Sequence, residues 1–506
     1  GKPVYRRMSN ETIRAMMEEY RDRHGCRRVA FLDGLPNPSE GTLAELVEIM
    51  DSVGLDYDFL NGLRADRLSY ALLKKMKGRV TMLSVSAETG DALTMSESVG
   101  KRQPLDAVEH AAAWCAKLGI PLLVHYIAGF PGESLNAAQK TFSHAMTMKR
   151  EFGANPSVQF ATPFPGTRLY DLCRREGLLL RGDVTDYSPY FNSGGLLKTG
   201  APMENLRRAY RNWRLCCDAE SLNKVIINLT YKCNNRCIFC AIGDRDKRHS
   251  RREDVLAALY KYRKRGVQLI DFDGGEPTLY PHLEGVVSAA HAAGYARITV
   301  TTNGRRLADE SFARRFLRSG ITDLLVSLYG DNPQLHELHT AAPGSFEETV
   351  AGIRNAVSLK PARVSLAVNI TLTAHNYGAL PRFARFVADM GVPTLNVQML
   401  TPFGSAREDH APDPARAAES IAAAIEESGE RPRIQVVNMP PCFLPGYEDY
   451  IAADTFKRSR DMVFVGDEGT NLAGYLASRR VKTDKCSGCV HALVCDGMYD
   501  FTEAGK

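Results

Sequence analysis

Short runs of β-branched and aliphatic residues alternate along the chain with longer segments of helical periodicity. In the second half these runs read VIINLT, VQLIDFD, RITVTT, DLLVSL, VSLAVNITL and TLNVQML. Segments such as DESFARRFLRSG and PRFARFVADMG lie between them, and each ends at a glycine that favours a helix stop. Strands that are almost continuously aliphatic are buried on both faces, which is typical of parallel βαβ units. The pattern predicts an α/β fold with a curved parallel sheet or partial barrel, whose chemistry lies where the strands end.

The same pattern occurs twice. VQFATPFPG at 158–166 resembles VQMLTPFGS at 397–405, and VAFLDG at 29–34 resembles LIDFDG at 269–274. The helical segment that begins at Met8 resembles the one that begins at His249. The three offsets are 239, 240 and 241 residues, a spacing that indicates two similar domains in tandem.

A chain of 506 residues is too long for one ordinary core, so two or three domains are expected. We predict two tandem partial (β/α)6 parallel barrels and a small C-terminal cysteine-rich region. The predicted bounds are a first barrel at 1–200, a connector at 201–220, a second barrel at 221–410 and the cysteine-rich region at 411–506.

Composition excludes several classes of protein. The chain is 44% hydrophobic and 24% charged, and it has no apolar run long enough to span a bilayer. The N-terminal GKPVYRRMSNET lacks the apolar core of a signal peptide, so we expect a cytoplasmic protein without membrane partners. The net charge of +5 is mild, and no basic face with interleaved aromatic residues indicates nucleic acid.

Twelve cysteines are many for such a protein. Cytosolic thiols stay reduced, so clustered cysteines are more often metal ligands than disulfides. Five are scattered and are expected to be small buried side chains: Cys26, Cys115, Cys173, Cys216 and Cys217. The other seven are candidate ligands: Cys233, Cys237, Cys240, Cys442, Cys486, Cys489 and Cys495.

The stretch KCNNRCIFC places three cysteines within eight residues, at 233, 237 and 240. Three thiolates from one loop can bind three irons of a [4Fe–4S] cluster and leave the fourth iron open. A structural zinc site needs a fourth protein ligand, although a zinc loop remains the alternative. The spacing C-x3-C-x2-C, followed by GGE at the next strand end, resembles the radical S-adenosylmethionine (SAM) superfamily.

The resemblance implies a specific chemistry. In that family SAM chelates the open iron, and one-electron reduction by a protein such as flavodoxin or ferredoxin yields a 5′-deoxyadenosyl radical that abstracts hydrogen from a substrate. Carried over by position, Gly274, Gly275 and Glu276 would hold the methionine amino group. Ser327 and Asn369 would reach the ribose or the carboxylate. No catalytic residue of this chain is identified by the resemblance.

The tail sequence CSGCVHALVCDG carries Cys486, Cys489 and Cys495. It resembles the SPASM or shorter twitch extensions of radical SAM enzymes, which hold auxiliary [4Fe–4S] clusters. Cys442 would supply the fourth ligand, and the tail has enough cysteines for one auxiliary cluster. A zinc ribbon would fit four thiolates equally well.

The first copy carries SVSAETGD, HYIAGFPGES and ATPFPGTRLY. Together these resemble the superfamily branch of methylthiotransferases, oxygen-independent cyclases and cobalamin-dependent methylases, yet the copy has no C-x3-C-x2-C. Either a cluster loop, with a further domain such as a cobalamin-binding one, precedes residue 1, or this copy is a scaffold without a cluster. Glu88 and His125 are either packing residues at strand ends or contacts to SAM or substrate.

We therefore expect an enzyme that cleaves SAM reductively and modifies a peptide or another natural-product precursor. The auxiliary cluster would support substrate binding or accept an electron. Two alternatives remain open at this point. One is a small-molecule or nucleoside methyl or sulfur transferase that uses both halves, and the other is a non-catalytic zinc protein with a binding role.

Overall fold

The computed structural model describes residues 6–100, 104–180, 197–219, 223–243, 245–429, 431–452, 460–466 and 469–501. The chain divides into two compact units. Unit 1 comprises residues 1–217 together with 487–493. Unit 2 comprises residues 218–486 together with 494–506.

Unit 1 is built on a five-stranded parallel sheet of order β1-β2-β3-β4-β5. Its strands are β1 (Arg28–Phe31), β2 (Asp56–Leu63), β3 (Leu83–Glu88), β4 (Leu122–Ala128) and β5 (Asn155–Phe160). Its α-helices are Asn10–His24, Glu40–Val53, Tyr70–Met76, Ala92–Thr94, Leu105–Leu118, Leu135–Phe152, Arg168–Arg175 and Met203–Ala219, the last of which runs into unit 2.

Local sequence signals set the ends of these helices. Serine is the N-cap of four of them and accepts a hydrogen bond from a backbone N–H of the first turn: Ser9, Ser39, Ser69 and Ser134. Glycine in the left-handed conformation ends four: Gly25, Gly54, Gly119 and Gly153. The βα alternation that the hydrophobic pattern predicts is therefore fixed by short-range chemistry.

Unit 2 contains a nine-stranded sheet of order β12-β11-β10-β9-β8-β7-β6-β13-β14. Its strands are β6 (Lys224–Thr230), β7 (Leu269–Gly274), β8 (Arg297–Thr302), β9 (Asp323–Ser327), β10 (Ser365–Leu372), β11 (Thr394–Met399), β12 (Arg433–Val437), β13 (Arg460–Val463) and β14 (Thr470–Asn471). All neighbouring pairs are parallel except β13 with β14. A separate antiparallel pair joins β15 (Arg480–Val481) to β16 (Met498–Tyr499).

The α-helices of unit 2 alternate with its strands and cover the sheet. They are Arg252–Lys264, Leu283–Ala292, Glu310–Leu317, Pro333–Thr340, Ser345–Leu359, Leu380–Asp389, Pro414–Ser428 and Leu472–Ser478. Aliphatic side chains of the strands form one continuous core with those of the helices. The predicted α/β class with parallel sheets is confirmed. No helix in the described ranges combines the length and apolarity that crossing a bilayer requires.

The repeat in the sequence has a counterpart in the strand order. Strands β1 to β5 are neighbours in chain order, and so are β7 to β11. The first residues of matching strands lie 239 to 243 positions apart. Strand β7 has β8 on one side and β6 on the other, and β6 leads into the cysteine loop. Among the described residues of unit 1, no strand corresponds to β6.

Candidate functional site

Unit 2 contains a cavity of about 780 Å³ at the carboxyl ends of its parallel strands. The three cysteines of KCNNRCIFC line it, and so do Gly274, Gly275 and Glu276, which follow β7. Each of the six strands β6 to β11 also contributes at least one polar residue to its lining. These residues are Asn228, Asp273, Thr301, Thr302, Ser327, Thr371 and Gln398. Residues that the sequence placed on one rim therefore meet around one space.

The loop that carries the cysteines is held by backbone hydrogen bonds. The N–H of Arg236 donates to the Thr340 carbonyl at 2.8 Å, and the N–H of Ile238 donates to the His339 carbonyl at 3.0 Å. Both acceptors lie at the end of the helix Pro333–Thr340, where carbonyls have no partner within the helix. The loop thereby satisfies groups that the helix leaves open.

Side chains from the loop after β8 fix the same segment. Asn303 Nδ2 donates to Asn234 Oδ1 at 2.6 Å, and Arg305 donates to Asn235 Oδ1 at 3.0 Å. Arg305 also forms an ion pair with Glu348 at 2.5 Å. The loop that follows β8 therefore braces the cysteine loop.

The thiols of this loop lie in a poorly solvated environment. Burial raises the pKa of Cys233 to about 11 and that of Cys237 to about 12. The charges of the neighbouring thiols and of Glu276 act in the same direction. Thiolates here would need a strong positive partner, which a metal cluster supplies.

The glycines that follow β7 are required by close backbone contacts. Gly274 has φ +128°, and a Cβ on it would meet the Thr230 carbonyl. A Cβ on Gly275 would meet the Lys232 carbonyl. The Gly275 N–H donates to Thr230 at 2.6 Å and the Glu276 N–H to Lys232 at 2.8 Å. These N–H groups are therefore used inside the protein and are not available to a ligand. The carbonyl of Glu276 accepts the Leu279 N–H at 3.0 Å.

Glu276 is almost completely buried, and uncharged donors surround its carboxylate. Oε1 accepts hydrogen bonds from the hydroxyls of Thr278 and Thr302, each at 2.6 Å. Oε2 accepts the Asn303 N–H at 2.7 Å. Burial raises the pKa of Glu276, and these hydrogen bonds act against it. The carboxylate thus links the β7 loop to the β8 loop that braces the cysteines.

Ser327 and Asn369, the two other residues predicted to contact SAM, lie on neighbouring strands but differ in their access to the cavity. Ser327 and Asn369 are paired in register on β9 and β10. Ser327 lines the cavity, whereas Asn369 is half-buried and is not among the lining residues. Tyr329, which sequence reasoning did not single out, is buried against the same cavity. Burial and the nearby Cys237 raise its pKa.

Sequence reasoning also missed two polar residues on the cavity wall, Asn228 and Asp273. Asp273 Oδ1 accepts the Gly274 N–H at 2.9 Å, and burial raises the pKa of Asp273 to about 6. Asn228 is 2% exposed, and its Nδ2 has no hydrogen-bond partner among the described residues. The available signal was their place near the ends of strands that are otherwise aliphatic.

A further wall of the cavity comes from the segments 462–466 and 469–479, which the sequence had assigned to the cysteine-rich region. It is formed by Met462, Phe464, Thr470, Leu472, Tyr475, Leu476 and Arg479. Arg245 connects this wall to the cysteine loop: its guanidinium lies 4.6 Å from the centroid of the Phe464 ring and donates to the Tyr231 hydroxyl at 3.2 Å. The Val465 N–H donates to the same hydroxyl at 3.1 Å.

The tail cysteines occupy different parts of the fold. Cys442 is exposed in the short turn Pro441–Phe443, and Cys486 and Cys495 are half-buried within unit 2. Cys489 belongs to the segment 487–493, which is part of unit 1. In that segment the Val490 carbonyl accepts a hydrogen bond from Asn212 at 3.1 Å.

No three Cys, His, Asp or Glu side chains in the described ranges are grouped around a single-ion position. This holds for the loop cysteines and for the described tail cysteines. Thiolates that bind separate irons of one cluster lie farther apart than ligands of one ion, so a four-iron cluster does not require such a group.

In unit 1 the two candidates from the sequence lie on β3 and β4. Glu88 is buried and has φ +63°, a conformation uncommon for a residue with a side chain. His125 Nε2 lies 3.2 Å from the Leu60 carbonyl. The neighbouring Glu133 is buried, and its Oε2 accepts the N–H groups of Gly129 and Phe130. Burial raises the pKa of Glu133 to about 7.

Comparison with known proteins gives one family. Residues 1–145 and 227–387, more than half of the chain, match the model described as Radical SAM superfamily.

In sequence the chain is similar to proteins named probable GTP 3′,8-cyclase. The one from Saccharolobus solfataricus is 27% identical over 185 residues, which are 36% of this chain and 58% of the relative. The one from Methanopyrus kandleri is 30% identical over 206 residues, 39% of this chain and 63% of the relative. The chain thus spans less than two thirds of the length of these relatives.

Solved structures are similar at lower levels. Streptococcus suis SuiB bound to precursor peptide SuiA has a TM-score of 0.44 at 15% identity, with 72% of this chain and 88% of that chain covered. Native anSMEcpe with bound AdoMet and Cp18Cys peptide has a TM-score of 0.44 at 14% identity, with 56% and 90% covered. At these scores neither similarity bears on function.

Proposed function

The chain belongs to the radical SAM superfamily, and on this premise we propose that unit 2 cleaves SAM reductively and abstracts hydrogen from a substrate. The observation that carries the proposal is the meeting of Cys233, Cys237 and Cys240 with the Gly274–Glu276 loop around one cavity. A [4Fe–4S] cluster and SAM bound there would supply a 5′-deoxyadenosyl radical after one-electron reduction.

The residues present fit such a cluster. Three thiols come from one loop, which leaves one iron without a protein ligand. Burial raises the pKa values of Cys233 and Cys237, and the positive charge of a cluster would favour their thiolate forms. Polar and apolar side chains both line the cavity, the combination typical of small-molecule sites.

We assign the groups that bind SAM by their chemistry. The carbonyl oxygens of the Gly274–Glu276 loop would accept hydrogen bonds from the methionine ammonium group. Glu276 would hold this loop in place and add negative charge near that ammonium group. Ser327 would contact the ribose or carboxylate, and Asn369, paired with Ser327 in register on the neighbouring strand, would do the same.

We further propose an auxiliary [4Fe–4S] cluster bound by Cys442, Cys486, Cys489 and Cys495. Its support is the spacing of the tail cysteines and its similarity to SPASM-type extensions. Four thiolate ligands would close the cluster to substrate, so it would relay an electron or organise the tail. A cytoplasmic flavodoxin or ferredoxin would reduce the enzyme.

For the substrate we propose a peptide or another natural-product precursor, supported by the same SPASM-like tail. A nucleoside or nucleotide is the second candidate, because the sequence relatives are named as probable GTP 3′,8-cyclases. Both candidate substrates carry C–H bonds beside polar groups, and both can be tested with the same enzyme preparation.

The test is formation of 5′-deoxyadenosine by anaerobically reconstituted protein with SAM and a strong reductant. Wild type is compared with Cys237→Ala and with the control Cys26→Ala, which alters a half-buried thiol of unit 1. Product from wild type and the control, but not from Cys237→Ala, supports the proposal. Product that persists in Cys237→Ala places the reaction outside unit 2. No product from iron-loaded wild type refutes the proposal.

A further inference from the structure

We propose that Asn228 and Asp273 form a substrate subsite that binds an amide-type edge, in which a hydrogen-bond acceptor lies beside a donor. The inference rests on the function proposed above, since it places the substrate in the same cavity of unit 2. It narrows the substrate to molecules that carry a peptide or side-chain amide, or the lactam edge of a nucleobase.

The two residues are neighbours across the sheet. Asn228 on β6 and Asp273 on β7 are paired in register, and both side chains line the cavity. Adjacent strands lie about 4.8 Å apart, so the two polar groups can contact one small planar group. The strands themselves fix this spacing, which makes the pair a rigid recognition element.

Asn228 carries an unused donor. A buried amide elsewhere in unit 2 has its donor satisfied inside the protein: Asn376 is 1% exposed, and its Nδ2 donates to the carbonyls of Tyr329 and Thr371. Asn228 Nδ2 has no partner within the described structure, although the residue is 98% buried. An unpaired buried donor costs roughly 1–3 kcal/mol. A ligand acceptor in the cavity would remove that cost.

Asp273 supplies the complementary acceptor. Its Oδ1 accepts the Gly274 N–H at 2.9 Å. No ion pair to Asp273 forms among the described residues, and the nearby lysine, Lys224, pairs with Asp271 instead. Oδ2 of Asp273 is therefore the natural acceptor for a ligand N–H.

The pair discriminates between classes of ligand. A carboxylate or phosphate would be repelled by Asp273 and by the neighbouring Glu276. An ammonium group would satisfy Asp273 but leave the Asn228 donor unpaired, and an alkyl group would leave both unpaired. An amide-type edge satisfies both groups at once.

Depth in the cavity separates this subsite from the cysteine loop. Asn228 lies two residues before the end of β6, which is roughly 7 Å along the strand at the usual rise per residue. The cysteines begin three residues beyond that end. A SAM molecule tied to iron at the loop would therefore leave Asn228 to the substrate.

The test measures binding to the reconstituted full-length enzyme with SAM present. The two probes are N-acetylglutamine amide, for a peptide source, and guanosine, for a nucleobase source. The variants are Asn228→Asp, Asp273→Asn and the double exchange, which reverses the order of donor and acceptor. Asn396→Asp is the matched control, because Asn396 also has an unpaired buried atom, on β11, but does not line the cavity.

We expect wild type and Asn396→Asp to bind the same one of the two probes with equal affinity. The probe that binds shows whether the substrate edge comes from a peptide or from a nucleobase. Each single exchange should raise the Kd for that probe about ten-fold or more, the factor that corresponds to 1.4 kcal/mol. The double exchange recovers part of the loss, which a purely structural role would not produce.

Three outcomes overturn the subsite: neither probe binds wild type at millimolar concentration, Asn228→Asp binds within two-fold of wild type, or SAM affinity falls together with probe affinity. The last would assign the edge to the adenine of SAM. Formation of 5′-deoxyadenosine is measured on the same preparation. Its absence with intact probe binding refutes the proposed reaction and not the subsite.

Discussion

The Arg305 guanidinium donates a 3.0 Å hydrogen bond to the side-chain oxygen of Asn235, inside the cysteine loop. Because Arg305 also pairs with Glu348 on the helix Ser345–Leu359, it ties the loop to the body of unit 2. The position of the thiols thus depends on a cation that lies 65 residues beyond the last of them.

Replacement of Arg305 by lysine should loosen the loop without removing the charge. Lysine can still pair with Glu348, but it lacks the planar fork that reaches the loop and the helix together. We expect lower iron content after reconstitution and faster cluster loss in air, with a stability change of about 1 kcal/mol. Arg314→Lys, at an exposed i,i+4 pair, is the control and should leave both unchanged.

Glu276→Gln tests the buried carboxylate. Among the described residues, both carboxylate oxygens of Glu276 only accept hydrogen bonds, from hydroxyl and backbone N–H groups. In the Gln variant, the side-chain NH₂ would replace one of these acceptors and would face a donor. We expect a loss of roughly 1–3 kcal/mol in unfolding free energy and weaker SAM binding by equilibrium dialysis. Glu284→Gln, a partly exposed surface change, should do neither. Unchanged SAM affinity in Glu276→Gln would contradict the assigned role.

Gly404 is a second brace of the cysteine loop. It has φ +62°, and a Cβ on it would meet the Cys240 carbonyl. Gly404→Ala should therefore displace Cys240, lower iron retention and cost about 1–3 kcal/mol beyond the backbone strain. Gly446→Ala has the same strain, at φ +88°, but no described atom within 4 Å of the added carbon. Equal effects of the two substitutions on iron content would refute this contact.

Iron content distinguishes one cluster from two. Alanine at Cys233, Cys237 and Cys240 together should reduce reconstituted iron from roughly eight to roughly four atoms per chain if the tail binds its own cluster. Further replacement of Cys486 and Cys489 should remove the rest. Zinc in place of the remaining iron, measured by elemental analysis, would instead indicate a zinc ribbon.

Glu133 should make the stability of unit 1 depend on pH. Its folded pKa of about 7 lies above the ordinary value of 4.5, so the folded state favours the protonated form. The contribution of Glu133 to the free energy of unfolding is fully present below about pH 4.5. It falls as the pH rises towards 7 and stays constant above that pH. The fall is on the order of 3 kcal/mol.

Glu133→Gln should abolish that fall. Its amide keeps the acceptor for Gly129 and Phe130 and removes the ionisation, so the variant should be more stable than wild type at pH 8 and similar at pH 5. Urea unfolding at both pH values measures this, and Glu151→Gln, on an exposed position, is the control. A wild-type midpoint that is equal at both pH values would contradict the raised pKa.

Much of the candidate site follows from the sequence because its signals are local. Cys233, Cys237 and Cys240 sit on one loop, and the glycines after β7 are needed within a few residues of the strand end. Hydrophobic periodicity located the strands of the second half. The near-constant offset between the repeats has a counterpart in the sheets, where β1 to β5 and β7 to β11 are each neighbours in chain order. Serine and glycine caps fixed the helix ends for the same short-range reason.

Residues far apart in the chain could be brought together only by the tertiary structure. The segment 462–466 is joined to the start of the cysteine loop by the hydrogen bond between Val465 and Tyr231, which are 234 residues apart. Asn228 became a candidate only when the structure showed a buried donor without a partner, which depends on every neighbouring strand. The assignment of Cys489 to unit 1 likewise followed from long-range packing. The sequence by itself determined the secondary-structure elements and the grouping of the three loop cysteines, because these depend on periodicity and spacing. The cavity and its lining depend on how distant strands pack, which only the tertiary structure decided.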